Sequence, residues 1–188
     1  MTTPSGIIIF GAGGSGKTTL GRELAPLLGY THFDLDDYHY HWDTEIPYTE
    51  LYSKEAKTER LLNDIAQHPR FVMSGQMWSI RKSFNQFFDL GVFISVPAEV
   101  CVERCRERAL ARWGDRVRPG GDMYEDNVQN LVNAEKYAVG EPPMVCLKRD
   151  ELWIEEMPCP VLRIDGTRPI AENAAWLAER YGLMKSAE

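Results

Sequence analysis

Five short apolar runs punctuate the chain, and amphipathic stretches separate them. Ile7-Ile8-Ile9-Phe10 is unbroken and rich in β-branched residues, as a strand buried on both faces would be. Residues 30–37 read as a second strand that ends in acid, Phe71–Ser74 as a third, Gly91–Val96 as a fourth and Val161–Ile164 as a fifth. Between them, Leu20, Leu24, Leu27 and Leu28 fall on one helical face with Gly29 as the stop. Pro26 is expected to kink or shorten that helix. Residues 49–66 predict a helix with Leu51, Leu61, Leu62 and Ile65 inward, and a further helix is expected from Ala98 to Ala111. Asp122 and Glu125 have capping-box spacing, so a helix should start at Met123 and bury Val128, Leu131 and Val132. Cys146–Met157 is read as helical, and a last helix places Ile170, Ala174, Leu177 and Tyr181 inward and ends at Gly182. Strands alternating with helices predict a three-layer α/β/α domain around a mostly parallel five-stranded sheet.

One motif changes this from a fold class to a chemistry. Gly11-Ala12-Gly13-Gly14-Ser15-Gly16-Lys17-Thr18 fits G-x-x-x-x-G-K-[ST] at every fixed position, between the first strand and the first helix. Gly11, Gly13, Gly14 and Gly16 are expected to take positive φ and let the backbone approach a ligand. The N–H groups from Gly11 through Ser15 to Thr19, with the helix dipole behind them, would cradle phosphate oxygens. Lys17 would neutralise the β/γ phosphates, and the Thr18 hydroxyl would ligate Mg²⁺.

Asp34, Asp36 and Asp37 crowd the end of the second strand. Alternation along an extended backbone puts Asp34 and Asp36 on one side, at the sheet edge where ligands bind in such folds. One would hold Mg²⁺ through water and the other polarise a substrate hydroxyl; a solvated Asp-rich turn is the plainer alternative. The aromatic and imidazole residues Tyr38–Trp42 show no helical period and read as a pocket wall, with Trp42 against substrate. Arg60 is a possible anion contact, Gly75 allows close approach after the third strand, and Arg81 would meet an acidic substrate group. No Asp closes the third strand, which shifts the metal role towards Asp34 and argues against a remodelling ATPase.

Arg104, Arg108 and Arg112 recur at four-residue intervals. The loop that follows carries Arg112, Arg116 and Arg118 with Gly114, Gly120 and Gly121. Planar, permanently charged donors on a glycine-hinged loop suit a lid that closes over phosphates. The turn Asp165-Gly166-Thr167 lies at another strand end and is expected to contact a base.

The chain has 188 residues, 44% of them apolar and 26% charged, with a formal net charge of −7. The acidic balance makes a nucleic-acid partner unlikely. No apolar run reaches membrane-spanning length. Four cysteines without a CxxC pair suggest neither disulfides nor a metal centre, and a reduced cytoplasmic setting with no leader peptide is expected. The expected organisation is a single domain over 1–188, with a substrate-binding insert at 38–66 and a lid at 112–122.

These motifs, in this order, resemble the small P-loop kinases of the adenylate kinase and shikimate kinase group, and more closely the adenylate-kinase-like proteins labelled topology modulation proteins. The resemblance implies ATP and Mg²⁺, with Asp34 holding the metal through water and Asp36 engaging the acceptor hydroxyl. It also implies Arg116 or Arg118 as the lid arginine, and Arg108 with the 165–169 turn (Gly166, Thr167) around adenine. The implied reaction is phosphoryl transfer to a small-molecule hydroxyl or phosphate. A nucleotide hydrolase or switch with a protein partner remains an alternative, and a nucleic-acid-associated module a weaker one.

Overall fold

The computed structural model describes residues 4–186. Strands β1 (Ser5–Gly11), β2 (Thr31–Asp34), β3 (Arg70–Ser74), β4 (Phe88–Ser95) and β5 (Val161–Asp165) form one sheet in the order β2-β3-β1-β4-β5. Every pairing is parallel. The helices are α1 (Lys17–Leu28), α2 (Asp36–His39), α3 (Lys54–Gln67), α4 (Arg81–Phe84), α5 (Ala98–Trp113), α6 (Tyr124–Glu135), α7 (Leu147–Glu156) and α8 (Ile170–Ser186).

Alternation along β1 divides the core into two layers. Ile7 and Ile9 face α1 and α8, packing with Leu20, Leu24, Ala174 and Leu177. Ile8 and Phe10 face the other way, towards Leu61 and Ile65 of α3, Phe84 of α4 and the fully buried Trp153 of α7. Both faces of β1 are therefore covered, which is why its sequence is an apolar run and not an alternating one.

Several boundaries differ from the sequence expectation. Pro26 neither shortens nor ends α1; it sits in the last turn, where little helix remains to disrupt, and the left-handed Gly29 (φ 67°) caps the end. Leu27 is exposed, as are Leu51 and Leu62. Leu51 lies before α3, which starts only at Lys54 because the Ser53 hydroxyl accepts from Ala56 N–H and caps it. Leu35 is helical (φ −66°, ψ −20°), so the second strand stops at Asp34 and Asp36 opens α2. No capping box forms at α6, because the Asp122 carboxylate is taken by Arg116. Val128, Leu131 and Val132 are only half-buried, and Ala134 is the buried residue of that helix. α6 runs from Tyr124, one residue after the expected start at Met123, to Glu135. α8 continues through Gly182: a glycine costs about 1 kcal/mol in a helix, and the packed Tyr181 and Met184 on either side outweigh it.

His32 on β2 packs its imidazole against the bare Gly21 of α1 and bonds the buried Ser74 hydroxyl at 2.9 Å. Burial pushes its pKa below the ordinary value of 6.5, against the opposing pull of Asp34. A histidine held neutral contributes stability that is complete above its unfolded pKa and is lost as pH falls towards the folded one. The stability advantage of the wild type over His32→Gln, measured by urea unfolding, is therefore expected to shrink as pH is lowered from 7.5 through about 6.5 and below; a constant difference across that range would show that the imidazole does not titrate.

Candidate active site

Parallel pairing brings the strand ends to a single edge. Asp34 is level with Ser74, Ser74 with Ile9, Gly11 with Ile94, and Ser95 with Asp165. The loop from Gly11 to Lys17 rises from the middle of that edge. Gly11, Gly14 and Gly16 take φ of 140°, 80° and 95°. Gly13 does not take positive φ, contrary to the expectation from its place in the motif. It is exposed, and a Cβ there would meet only the Cys105 sulfur, at 4.0 Å. At Gly14 a Cβ would lie 2.4 Å from the Cys101 carbonyl of α5, so the loop is pressed against that helix.

Three observations fit the loop to an anion. Helix α1 starts at Gly16 with no side-chain cap and no acid in its first turn, leaving its first N–H groups without the usual intramolecular partners. The Ser15 hydroxyl is buried without a hydrogen-bond partner. The half-buried Lys17 ammonium folds back onto the Ala12 carbonyl at 2.6 Å. Burial lowers the Lys17 pKa, while the charges of Asp36 and Asp150 act in the opposite direction. Thr18 and Thr19 occupy the first turn of α1.

Asp36 enters this field from α2, not from the strand. The Asp34 carboxylate accepts from Asp36 N–H at 3.3 Å and lies 3.6 Å from Arg22. Surrounding protein and the Asp34 charge raise the Asp36 pKa, while Lys17 and Arg108 oppose the rise. Among the described residues no cluster of three or more His, Cys, Asp or Glu could hold a metal. Thr18 and Asp34 suit an ion that completes its shell with phosphate oxygens and water, as Mg²⁺ does.

The lid arginines are engaged elsewhere. Arg112, in the last turn of α5, donates to the Tyr48 hydroxyl at 2.9 Å and lies over Trp42 and Trp113 at 5.4 and 4.7 Å. Tyr40, Trp42 and Tyr48 pack edge-to-face, so the aromatic insert is a built cluster. Tyr38 instead belongs to the core. Arg116 pairs with Asp122 at 2.7 Å and donates to the Glu45 carbonyl at 3.0 Å; Arg118 pairs with Asp115 at 3.0 Å. Gly121 is tightly packed, since a Cβ there would lie 2.3 Å from the Arg116 carbonyl. Arg104 reaches the Gly166 carbonyl at 3.1 Å, and Arg108 donates to the Cys105 sulfur at 3.8 Å. Thr167 closes on Asp165, and Gly166 lies against the Ser15 carbonyl.

Two proposed substrate arginines have protein partners. Arg81 is held by Glu156 through two 2.8 Å bonds and stacks on Trp78. Arg60 is exposed, lies over Tyr52 at 4.2 Å and donates to the Asp37 carbonyl. Gly75 (φ 132°) is required by Leu35, whose Cβ would be 2.9 Å from an added methyl. Sequence reasoning missed a buried group beside the loop: Gln76, Tyr137, Arg149 and Asp150. Their only signal was two charged residues, Arg149 and Asp150, at positions where α7 turns inward.

The sheet order and the loop between β1 and α1 give the chain the fold of the small P-loop kinases of the adenylate kinase and shikimate kinase group. A model of the AAA domain matches residues 7–116, and the chain belongs to that family. It is 31% identical over 167 residues to YqaC of Bacillus subtilis (strain 168), covering 89% of this chain and 92% of that protein. A probable gluconokinase of Xenopus tropicalis is 41% identical over 64 residues, 34% of this chain and 28% of that protein. The fold is similar to that of a shikimate kinase from Acinetobacter baumannii in complex with shikimate, with TM-score 0.52, 22% identity and coverage of 100% of this chain and 96% of that one. It is also similar to a gluconokinase from Sinorhizobium meliloti 1021, with TM-score 0.50, 19% identity and coverage of 98% and 99%.

The loop geometry separates two glycines that look alike in sequence. Gly14→Ala adds a left-handed backbone penalty to a collision with Cys101 and should cost at least about 2 kcal/mol. Gly120→Ala, at φ 90° with open space around it, should cost only about 1 kcal/mol. Urea unfolding of both variants measures the difference, and equal losses would mean that the loop does not depend on its contact with α5.

Proposed function

We propose that this protein transfers the γ-phosphoryl group of ATP, with Mg²⁺, to a hydroxyl of a small molecule. The observation that carries the reading is Asp36: a carboxylate of raised pKa that shares one electrostatic field with Lys17 at the mouth of the phosphate loop. A hydroxyl acceptor needs such a group, because its proton must leave as the new P–O bond forms. A phosphate acceptor is already anionic, and the carboxylates Asp34, Asp36 and Asp37 would repel it. The local likeness to a probable gluconokinase agrees with a hydroxylated acceptor.

Lys17 and the loop N–H groups bind and orient the phosphates, and Thr18 with Asp34 would hold Mg²⁺, which would offset phosphate charge. Asp36 accepts the hydroxyl proton as the acceptor oxygen bonds to phosphorus and the bridge to the β-phosphate breaks, releasing ADP. Most of the acceleration comes from positioning and charge stabilisation. Arg116 and Arg118 reach the phosphates only by leaving Asp122 and Asp115. Exposed pairs of this kind are weak, so a polyanion can outcompete them. Arg108 already lies within the field of Lys17 and Asp36 and adds positive charge there. Trp42 and its aromatic neighbours form the acceptor side, next to Asp36, whose charge acts on Tyr40 and Tyr48.

Lys17→Ala is expected to abolish Mg·ATP binding in calorimetry. Asp36→Asn should leave that binding within about threefold and reduce transfer by about 10²–10⁴-fold, read as ADP release across a panel of polyols, sugar acids and nucleosides. ATP turnover that no acceptor in the panel raises would favour a hydrolase instead.

A further inference from the structure

We infer that Asp150, acting through Gln76, is a positioning residue that holds the root of the phosphate loop in its nucleotide-binding shape. The inference rests on the phosphate-loop reading above and adds to it a group on α7.

Asp150 is fully buried. Its Oδ2 accepts from the Tyr137 hydroxyl at 2.7 Å and from the Gln76 amide at 3.2 Å. The same Gln76 nitrogen donates to the Gly11 carbonyl at 3.0 Å. Arg149 donates to the Gln76 oxygen at 2.9 Å, which settles which end of the amide faces the loop. Asp150 is thus tied to the last residue of β1, where the chain leaves the sheet to form the loop. On its other side Gly11 is closed in by β4, with the Ile94 carbonyl 2.5 Å from where a Cβ would stand. The Gly11 peptide is clamped between β4 and Gln76, one residue before Ala12, whose carbonyl receives Lys17.

Stability alone gives no reason for this group. Asp150 Oδ1 and Arg149 Nε are buried without hydrogen-bond partners. A half-satisfied polar network is a poorer core than an apolar one. What these side chains supply that leucines would not is a directional bond to a carbonyl at the start of the loop. The cradle's N–H groups converge only if that first peptide is correctly oriented, and misplacement of this kind is expensive for binding.

The test uses the full chain, with Mg·ATP as the probe in calorimetry and thermal unfolding measured alongside. Gln76→Ala and Asp150→Ala should each weaken Mg·ATP binding about tenfold, and the double variant should lose about the same tenfold and not a hundredfold, because both act on one tether. Asp150→Asn, whose carboxamide oxygen accepts the same two bonds, should restore most of the affinity. Should Asp150→Ala fail to fold, Tyr137→Phe closes the cycle: its loss should vanish in the Gln76→Ala background. Additive losses, or alanine variants that bind as the wild type does while melting at lower temperature, would overturn the inference. Wild-type protein that takes up no Mg·ATP would overturn the phosphate-loop reading instead.

Discussion

The structure turns on the phosphate loop, where helix α1 begins with no side chain capping its first backbone N–H groups. A polypeptide normally pairs such groups. Here β1 ends in a glycine loop and α1 begins without a cap, both at the edge where all five strands stop. The surroundings suit an anion. Lys17 turns back to a loop carbonyl, and the Ser15 hydroxyl is left without a partner. The glycines follow from the same constraint. Gly14 and Gly166 let α5 and the β5–α8 turn close on the loop, so its walls are backbone as much as side chain.

Charge is distributed around that centre unevenly. The chain is acidic overall, yet its arginines gather on α5 and the segment after it. Arg112, Arg116 and Arg118 each lie on a carboxylate or an aromatic ring of the protein. Weak exposed pairs keep such side chains ordered and soluble without holding them back from a stronger anion. Arg112 and Arg116 both reach the 45–48 stretch, which also carries the aromatic cluster beside Asp36. The segment after α5 and the aromatic insert are thereby linked by direct bonds, a connection that neither segment's composition suggests.

The opposite wall is polar and buried. Gln76, Tyr137 and the adjacent pair Arg149 and Asp150 come from three separate stretches of chain and meet behind the loop. Trp78 lies close to both Arg149 and Arg81, and Arg81 is bonded to Glu156 at the far end of α7. α7, which showed only amphipathic spacing in the sequence, is therefore tied to the site at one end and to α4 at the other.

The chain's own order of residues was enough to specify the strands, the helices and the phosphate loop, because each depends on neighbours close in sequence: apolar runs, helical spacing, glycines before Lys17. Local signals misled at several positions, some of them because a tertiary partner won. Asp122 is a good cap by spacing but a better partner for Arg116, and Gly182 cannot end a helix whose next turn is already packed. Leu27, Leu51 and Leu62 are apolar yet exposed, since the sheet has no surface left at their positions. Asp34 and Asp36 do share an edge, though through a helical Leu35 and not by strand alternation. What tertiary structure alone decided was which distant side chains share the loop's field. Arg104 reached the Gly166 carbonyl, Arg112 and Arg116 found partners in the 45–48 stretch, and Asp150 came to lie behind Gly11. Those outcomes depend on how helices from the second half of the chain cross a sheet built mostly by the first, and no periodicity records a crossing.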